Sequence, residues 1–90
     1  MKKIEKALEK TLKALANRRR LVILQYLKEN REASVGEISD AIDLSFKATS
    51  KHLGILISLD IIERDQRSLK MFYRLSADQS PASKSIISIL

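Results

Sequence analysis

The stretch Ser34–Leu59, SVGEISDAIDLSFKATSKHLGILISL, decides how this 90-residue chain is read. Val35, Ile38, Ala41 and Ile42 form a short apolar run of helical period. Asp43-Leu44-Ser45 interrupts it, and Leu53, Leu56 and Ile57 resume the period in a longer run. Two helices joined by a tight corner fit that spacing. Ser34, with Glu37 three residues on, has the form of a capping box for the first helix, and Ser45 is a good N-cap for the second. In the second helix the leucines fall on one face, while Lys47, Ser50, Lys51 and Gly54 fall largely on another. A helix that shows two lysines, hydroxyls and a histidine toward its N-terminal end is chemically equipped to meet phosphates and base edges in a major groove. Helix-corner-helix units are also common in all-α proteins, and most charged helix faces bind nothing, so periodicity alone leaves both readings open.

Downstream, Ile61-Ile62-Glu63-Arg64-Asp65 and Lys70-Met71-Phe72-Tyr73-Arg74-Leu75 are rich in β-branched, aromatic and alternating residues, the signal of a hairpin. The connection between them contains no glycine, so a turn looser than a two-residue primed turn is expected. Near its tip such a wing presents Arg64, Gln66, Arg67 and Lys70. Upstream, Ile4, Leu8, Leu12 and Leu15 make a narrow apolar stripe on a helix. Asn17 can end that helix or cap the next, in which Leu21 to Leu27 are apolar nearly all round, as befits a central helix. Lys28 to Glu32 reads as a polar connection. After a polar break at Ser76 to Ser80, Pro81 suits a first helical turn, and Ile86, Ile87, Ile89 and Leu90 close the sequence apolar.

Three separated motifs carry a family resemblance that spans roughly Leu15 to Leu75. Leu44, Ser45, Ser50, Lys51, His52 and Leu53, followed by Ile61-Ile62-Glu63, resemble the recognition helix and wing start of the ArsR-type winged helix-turn-helix repressors of bacteria and archaea. Leu15-Ala16-Asn17, Arg20-Leu21 and Ile23-Leu24 resemble the segment that opens that family's domain, and Phe72-Tyr73-Arg74-Leu75 resembles its closing strand. The chain departs from the pattern at Arg18, where proline is usual, at Thr49, where an aliphatic residue is usual, and at Asp60, where glycine is usual. Asp60 can adopt the left-handed conformation at some cost. The Thr49 hydroxyl needs a partner, either a carbonyl one turn earlier or DNA. The resemblance implies dimerisation through the first and last helices and repression of transcription. The metal-sensing relatives use cysteines or imidazole-carboxylate sets, which this sequence does not offer.

Composition narrows the alternatives. One domain is expected, and with so small a core a second copy would add stability. The net charge of +6 favours a polyanionic partner. Residues 1–20 hold eight basic side chains against two acidic ones, residues 21–60 four against six, and the rest five against three. The excess therefore sits at the N-terminus, where a solvated face is the ordinary explanation for Lys2, Lys3, Lys6 and Lys10, while Arg18 and Arg19 are placed to meet phosphate at a helix start. Aromatic residues are scarce at 4%, which argues against base stacking as the main recognition mode. There is no cysteine and one histidine, so disulfides, thiolate chemistry and the usual zinc or arsenite sites are not expected. No carboxylate pair, phosphate-binding glycine loop or nucleophile motif points to catalysis. No signal peptide or membrane span is legible, so a cytoplasmic location is expected.

These readings converge on an α+β, mostly helical winged helix-turn-helix, with a two-stranded hairpin wing and terminal dimerisation helices. A single domain covers residues 1–90, with the helix-turn-helix at 34–59, the wing at 61–75 and dimerisation segments at 1–15 and 81–90. Expected DNA contacts are Ser45, Lys47, Ala48, Ser50, Lys51 and His52 on the helix and Arg64, Gln66, Arg67 and Lys70 on the wing. Expected dimer contacts are Ile4, Leu8, Leu12, Ile86 and Ile89. The expected partners are duplex DNA carrying a palindromic operator and a second copy of the chain, with no membrane, cofactor, metal or catalytic residue. A protein-interaction module on the same fold is the competing reading, and salt dependence of duplex binding separates the two.

Overall fold

The computed structural model describes residues 2–90, without the side chain of Lys2; Met1 and that side chain, both assigned above to the N-terminal segment, lie outside the described residues. The order is α1 (Lys2–Leu15), α2 (Arg18–Asn30), β1 (Glu32–Ala33), α3 (Val35–Ile42), α4 (Phe46–Ser58), β2 (Ile62–Arg67), β3 (Lys70–Leu75) and α5 (Pro81–Ile89). Each helix after α1 starts at a side-chain cap. Asn17 Oδ1 accepts from the Arg20 amide at 3.1 Å, and Ser45 Oγ accepts from the Ala48 amide at 3.1 Å. Ser80 Oγ accepts from the Ser83 amide at 3.3 Å, with Pro81 at the helix start. Ser34 and Glu37 form the reciprocal box, at 3.2 Å and 2.8 Å.

The corner between α3 and α4 and the exit from α4 are closed by the same device. Asp43 (φ 55°) and Asp60 (φ 56°) occupy the left-handed region. Beside them the Leu44 amide donates to Ser39 O and the Ile61 amide to Leu56 O, both at 3.0 Å. These six-to-one bonds define Schellman turns, and aspartate fills the position where glycine is cheapest. The second turn also buries Leu56 against Ile61, so the end of α4 and the start of the wing share one apolar contact.

Around α2 lies the core: Ile23, Leu24 and Leu27 from α2, Ile38 from α3, Leu53 and Leu56 from α4, Ile61 and Ile62 at the wing base, Leu15 from α1 and Ile87 from α5. The sheet has the antiparallel order β1-β3-β2, with Glu32 opposite Arg74 and Ile62 opposite Leu75. Three features differ from expectation: α2 runs on to Asn30 through most of the presumed polar connection, and the sheet departs in two ways. The sheet has a third strand, because Glu32-Ala33 leaves the presumed polar connection to pair with β3. The hairpin turn is also tight, since pairing continues to Arg67 opposite Lys70 and leaves only Ser68-Leu69 to turn the chain. The left-handed φ of 57° falls on Ser68, which accepts without glycine the strain that a two-residue turn imposes.

The helix α5 packs against α1 and α2 of its own chain. Lys28 Nζ donates to the carbonyls of Ile87, Ser88 and Leu90 at 3.0–3.3 Å, placing a cation at the negative end of that helix.

Candidate nucleic-acid interface

The side of α4 opposite the core is its cationic face. At about 100° per residue, Lys47, Lys51 and Gly54 form the outward row, and all three are exposed. Ala48 and Ser50 lie half-buried on the two shoulders. Neither lysine has a carboxylate within ion-pair distance; among the described residues the pairs involve Lys13, Arg67 and Arg74. The exposed Ser45 hydroxyl caps the helix, so at this end it stands beside backbone amides that favour an anion.

His52 sits half-buried on the shoulder nearer α2, with Nδ1 3.2 Å from the Arg20 guanidinium. Arginine can only donate, so Nδ1 accepts and the neutral ring carries its proton on Nε2. Burial lowers the His52 pKa, and the charges of Arg20, Arg19 and Lys51 lower it further. Arg20 also donates through Nε to the Ala14 carbonyl, so one arginine ties the end of α1 to the middle of α4. This gives Arg20 a structural role and leaves His52 its Nε2–H as the group to offer outward. Thr49 meets neither expected fate. It is 0% exposed, and its Oγ1 has no hydrogen-bond partner. It sits with Leu53 and Leu56 on the apolar face, where an aliphatic residue would fit without a polar atom to satisfy.

The four expected wing residues are treated unequally. Arg64 and Gln66 are exposed and alternate onto the same side of β2, and Lys70 is exposed at the start of β3. Arg67 donates to Glu32 on β1, pairs with Asp65 at 3.5 Å and stacks 3.9 Å over the Phe72 ring. Arg74 pairs with Glu63 at 3.2 Å and Asp65 at 3.5 Å. The outer side of the sheet is thus a ladder of alternating charge. Sequence reading missed Glu32 because its partner lies 35 residues away. Lys10 and Lys13, part of the N-terminal excess, line a groove with Arg20, Ile55 and Leu59 behind the C-terminal end of α4.

At the other end, Ile4 (68%), Leu8 (43%), Leu12 (45%) and Ile89 (78%) are exposed. Ile86 differs, being half-buried against the chain's own core. A shallow apolar groove runs between α1 and α5, lined by Ile4, Ala7, Leu8 and Pro81 among others. The two terminal helices therefore present one combined surface, where the sequence suggested two separate stripes.

The signature of the arsR family of bacterial regulatory proteins matches residues 17–64, which hold α2, α3, α4 and the wing base. The chain belongs to this family. It is 42% identical over 71 residues to the transcriptional activator HlyU of Vibrio cholerae, a match spanning 79% of this chain and 65% of that protein. The solved structure of reduced HlyU superposes with a TM-score of 0.83 at 39% identity, covering 100% of this chain and 90% of that one. The biofilm growth-associated repressor of Agrobacterium fabrum is 33% identical over 69 residues, 77% of this chain and 58% of that repressor. A homodimeric winged helix-turn-helix DNA-binding domain from Mycobacterium bovis superposes with a TM-score of 0.82 at 26% identity, covering 96% of this chain and 77% of that one. The chain is a winged helix-turn-helix regulator of the arsR family. Among the described residues no helix is long and apolar enough to cross a membrane.

Proposed function

We propose that the chain binds double-stranded DNA as a two-fold homodimer and represses transcription by occluding a promoter. The carrying observation is the outward row of α4, where Lys47 and Lys51 stand exposed without an acidic partner at the end of a capped helix. Ser45, Ala48, Ser50 and the Nε2–H of His52 flank that row, and Arg64, Gln66 and Lys70 of the wing add to it. Two-fold symmetry makes the operator an imperfect palindrome. The names of the relatives include both an activator and a repressor, so the sign of regulation is the part of this reading that DNA binding alone does not carry.

The dimer reading rests on Ile4, Leu8, Leu12 and Ile89, exposed apolar side chains on α1 and α5, and on the apolar groove that Ile4 and Leu8 line between those helices. Ile86 would support this surface from beneath. The chain does not sense a transition metal in this reading, because a sequence with one histidine and no cysteine lacks the soft ligands of such a sensor.

Binding of fluorescent duplexes from a genomic-fragment selection, measured across salt concentrations, tests the DNA reading. The logarithm of the affinity should fall linearly with log salt, and a flat response would favour the protein-interaction module instead. Sedimentation of wild type and of Leu8→Asp/Leu12→Asp tests the dimer. The variant should be monomeric and bind DNA much more weakly, and a wild type monomeric at micromolar concentration would overturn the dimer.

A further inference from the structure

Phe46 is the one large apolar side chain on α4 that the core does not use. It is 63% exposed and absent from the core cluster, whereas the other strongly exposed apolar residues lie on α1, on α2, at the wing tip and on α5. A phenyl ring left in water forgoes its burial free energy, and since single exposed apolar side chains are common, what makes this one informative is where it stands. Its place is the first residue of α4, directly after the Ser45 cap and one residue before Lys47. Helical Cβ atoms lean toward the N-terminus, so the ring at this position projects past the end of the helix. That end of a recognition helix is the part that approaches base edges. The Asp43 turn and the cap bonds of Ser45 fix the backbone on which the ring is mounted.

What the ring can recognise follows from its chemistry. It has no donor or acceptor for the polar edges of guanine, adenine or cytosine. Thymine alone presents an apolar group in the major groove, its 5-methyl. Resting on the DNA-binding reading above, we propose that Phe46 is a specificity-determining residue that packs against a thymine methyl in each half-site. Recognition then combines two kinds of contact from adjacent positions. Lys47 supplies charge that holds the duplex, and Phe46 supplies an apolar surface that selects thymine over cytosine or uracil.

The test uses the full chain and a duplex it selects from genomic DNA. Each thymine is replaced in turn by deoxyuridine, which removes the methyl and keeps every hydrogen-bonding group. Replacement at one position per half-site should weaken wild-type binding roughly four-fold per methyl lost from contact. Phe46→Ala should bind the thymine and deoxyuridine duplexes equally and still prefer them to unrelated DNA. Phe46→Leu should keep part of the discrimination. Circular dichroism and thermal melting, unchanged for an exposed residue, confirm that the variants fold. The proposal falls if no deoxyuridine position weakens wild-type binding, or if Phe46→Ala discriminates as wild type does. Failure of the wild type to bind any duplex in a salt-dependent way would remove the DNA reading itself, a separate result that takes this inference with it.

Discussion

The cations of α4 and the two arginines Arg67 and Arg74 of the wing are held in opposite ways. Lys47 and Lys51 project from α4 with no carboxylate near them, while Arg67 and Arg74 of the wing are matched by Glu32, Glu63 and Asp65. An unpaired cation keeps its full attraction for a phosphate and releases a counterion on binding; a paired one must first give up its partner. On the proposed reading α4 offers its charge to DNA together with Arg64 and Lys70, whereas Arg67 and Arg74 spend theirs within the sheet, on the short, glycine-free hairpin and the two-residue strand beside it. Formal charge counted along the sequence shows nothing of this division.

The largest effect expected from the comparison is on α4. Replacing both Lys47 and Lys51 by alanine should cost ~1 to 3 kcal/mol for each lysine that reads a base, with relaxed sequence preference. A lysine that holds phosphate should instead lower the salt slope by roughly one unit. Anisotropy titrations at several salt concentrations separate these roles, and unchanged affinity would take α4 out of the interface.

Thr49 shows the contrast on the inner side of the same helix, since the wing pairs Arg67 and Arg74 but α4 buries a hydroxyl with no partner. Thr49→Val keeps the shape and removes the unsatisfied group, so stability should rise by about 1 kcal/mol. Urea unfolding reads this as a higher midpoint at unchanged slope, and a lower midpoint would mean the hydroxyl has a partner after all.

A smaller effect is expected at Arg67, one of the four wing residues first assigned to DNA. Arg67→Ala should weaken duplex binding much less than loss of the α4 lysines, and it should speed hydrogen exchange at Glu32 and Ala33 by loosening β1. If DNA binding collapses while exchange at β1 is unchanged, Arg67 leaves its network to reach the duplex, and the contrast with α4 is wrong.

The smallest effect concerns His52. Its pKa is lowered in the fold, chiefly by burial and then by Arg20, so the unfolded chain takes up a proton at higher pH than the folded chain. The stability this contributes is present above the ordinary value of 6.5 and is lost as the pH falls from there toward the folded value. Thermal melts between about pH 5.5 and 7.5 should therefore show a slope in wild type that is shallower in His52→Asn, which keeps an acceptor for Arg20 but cannot be protonated. Equal slopes would show that the imidazole does not titrate differently on folding.

The sequence by itself determined whatever is written within a turn or two of chain. The caps at Asn17, Ser34 with Glu37, and Ser45 act over three residues, and the apolar spacing of α1 and α4 reports one helix face at a time, so helices and corner were legible, whereas the cap at Ser80 was not singled out. The left-handed Asp60 was legible for the same reason. Tertiary structure alone decided the pairings between distant residues: Glu32-Ala33 with β3, Arg67 with Glu32, Arg20 with His52 and Lys28 with the end of α5. A two-residue strand has no period to detect, and a side chain's charge is free or spent according to neighbours brought within a few ångströms by the fold. Which of the chain's seventeen cations remain available to a ligand is consequently a property of packing, and Lys47 and Lys51 remain so because α4 turns its leucines inward and leaves them no acidic neighbour.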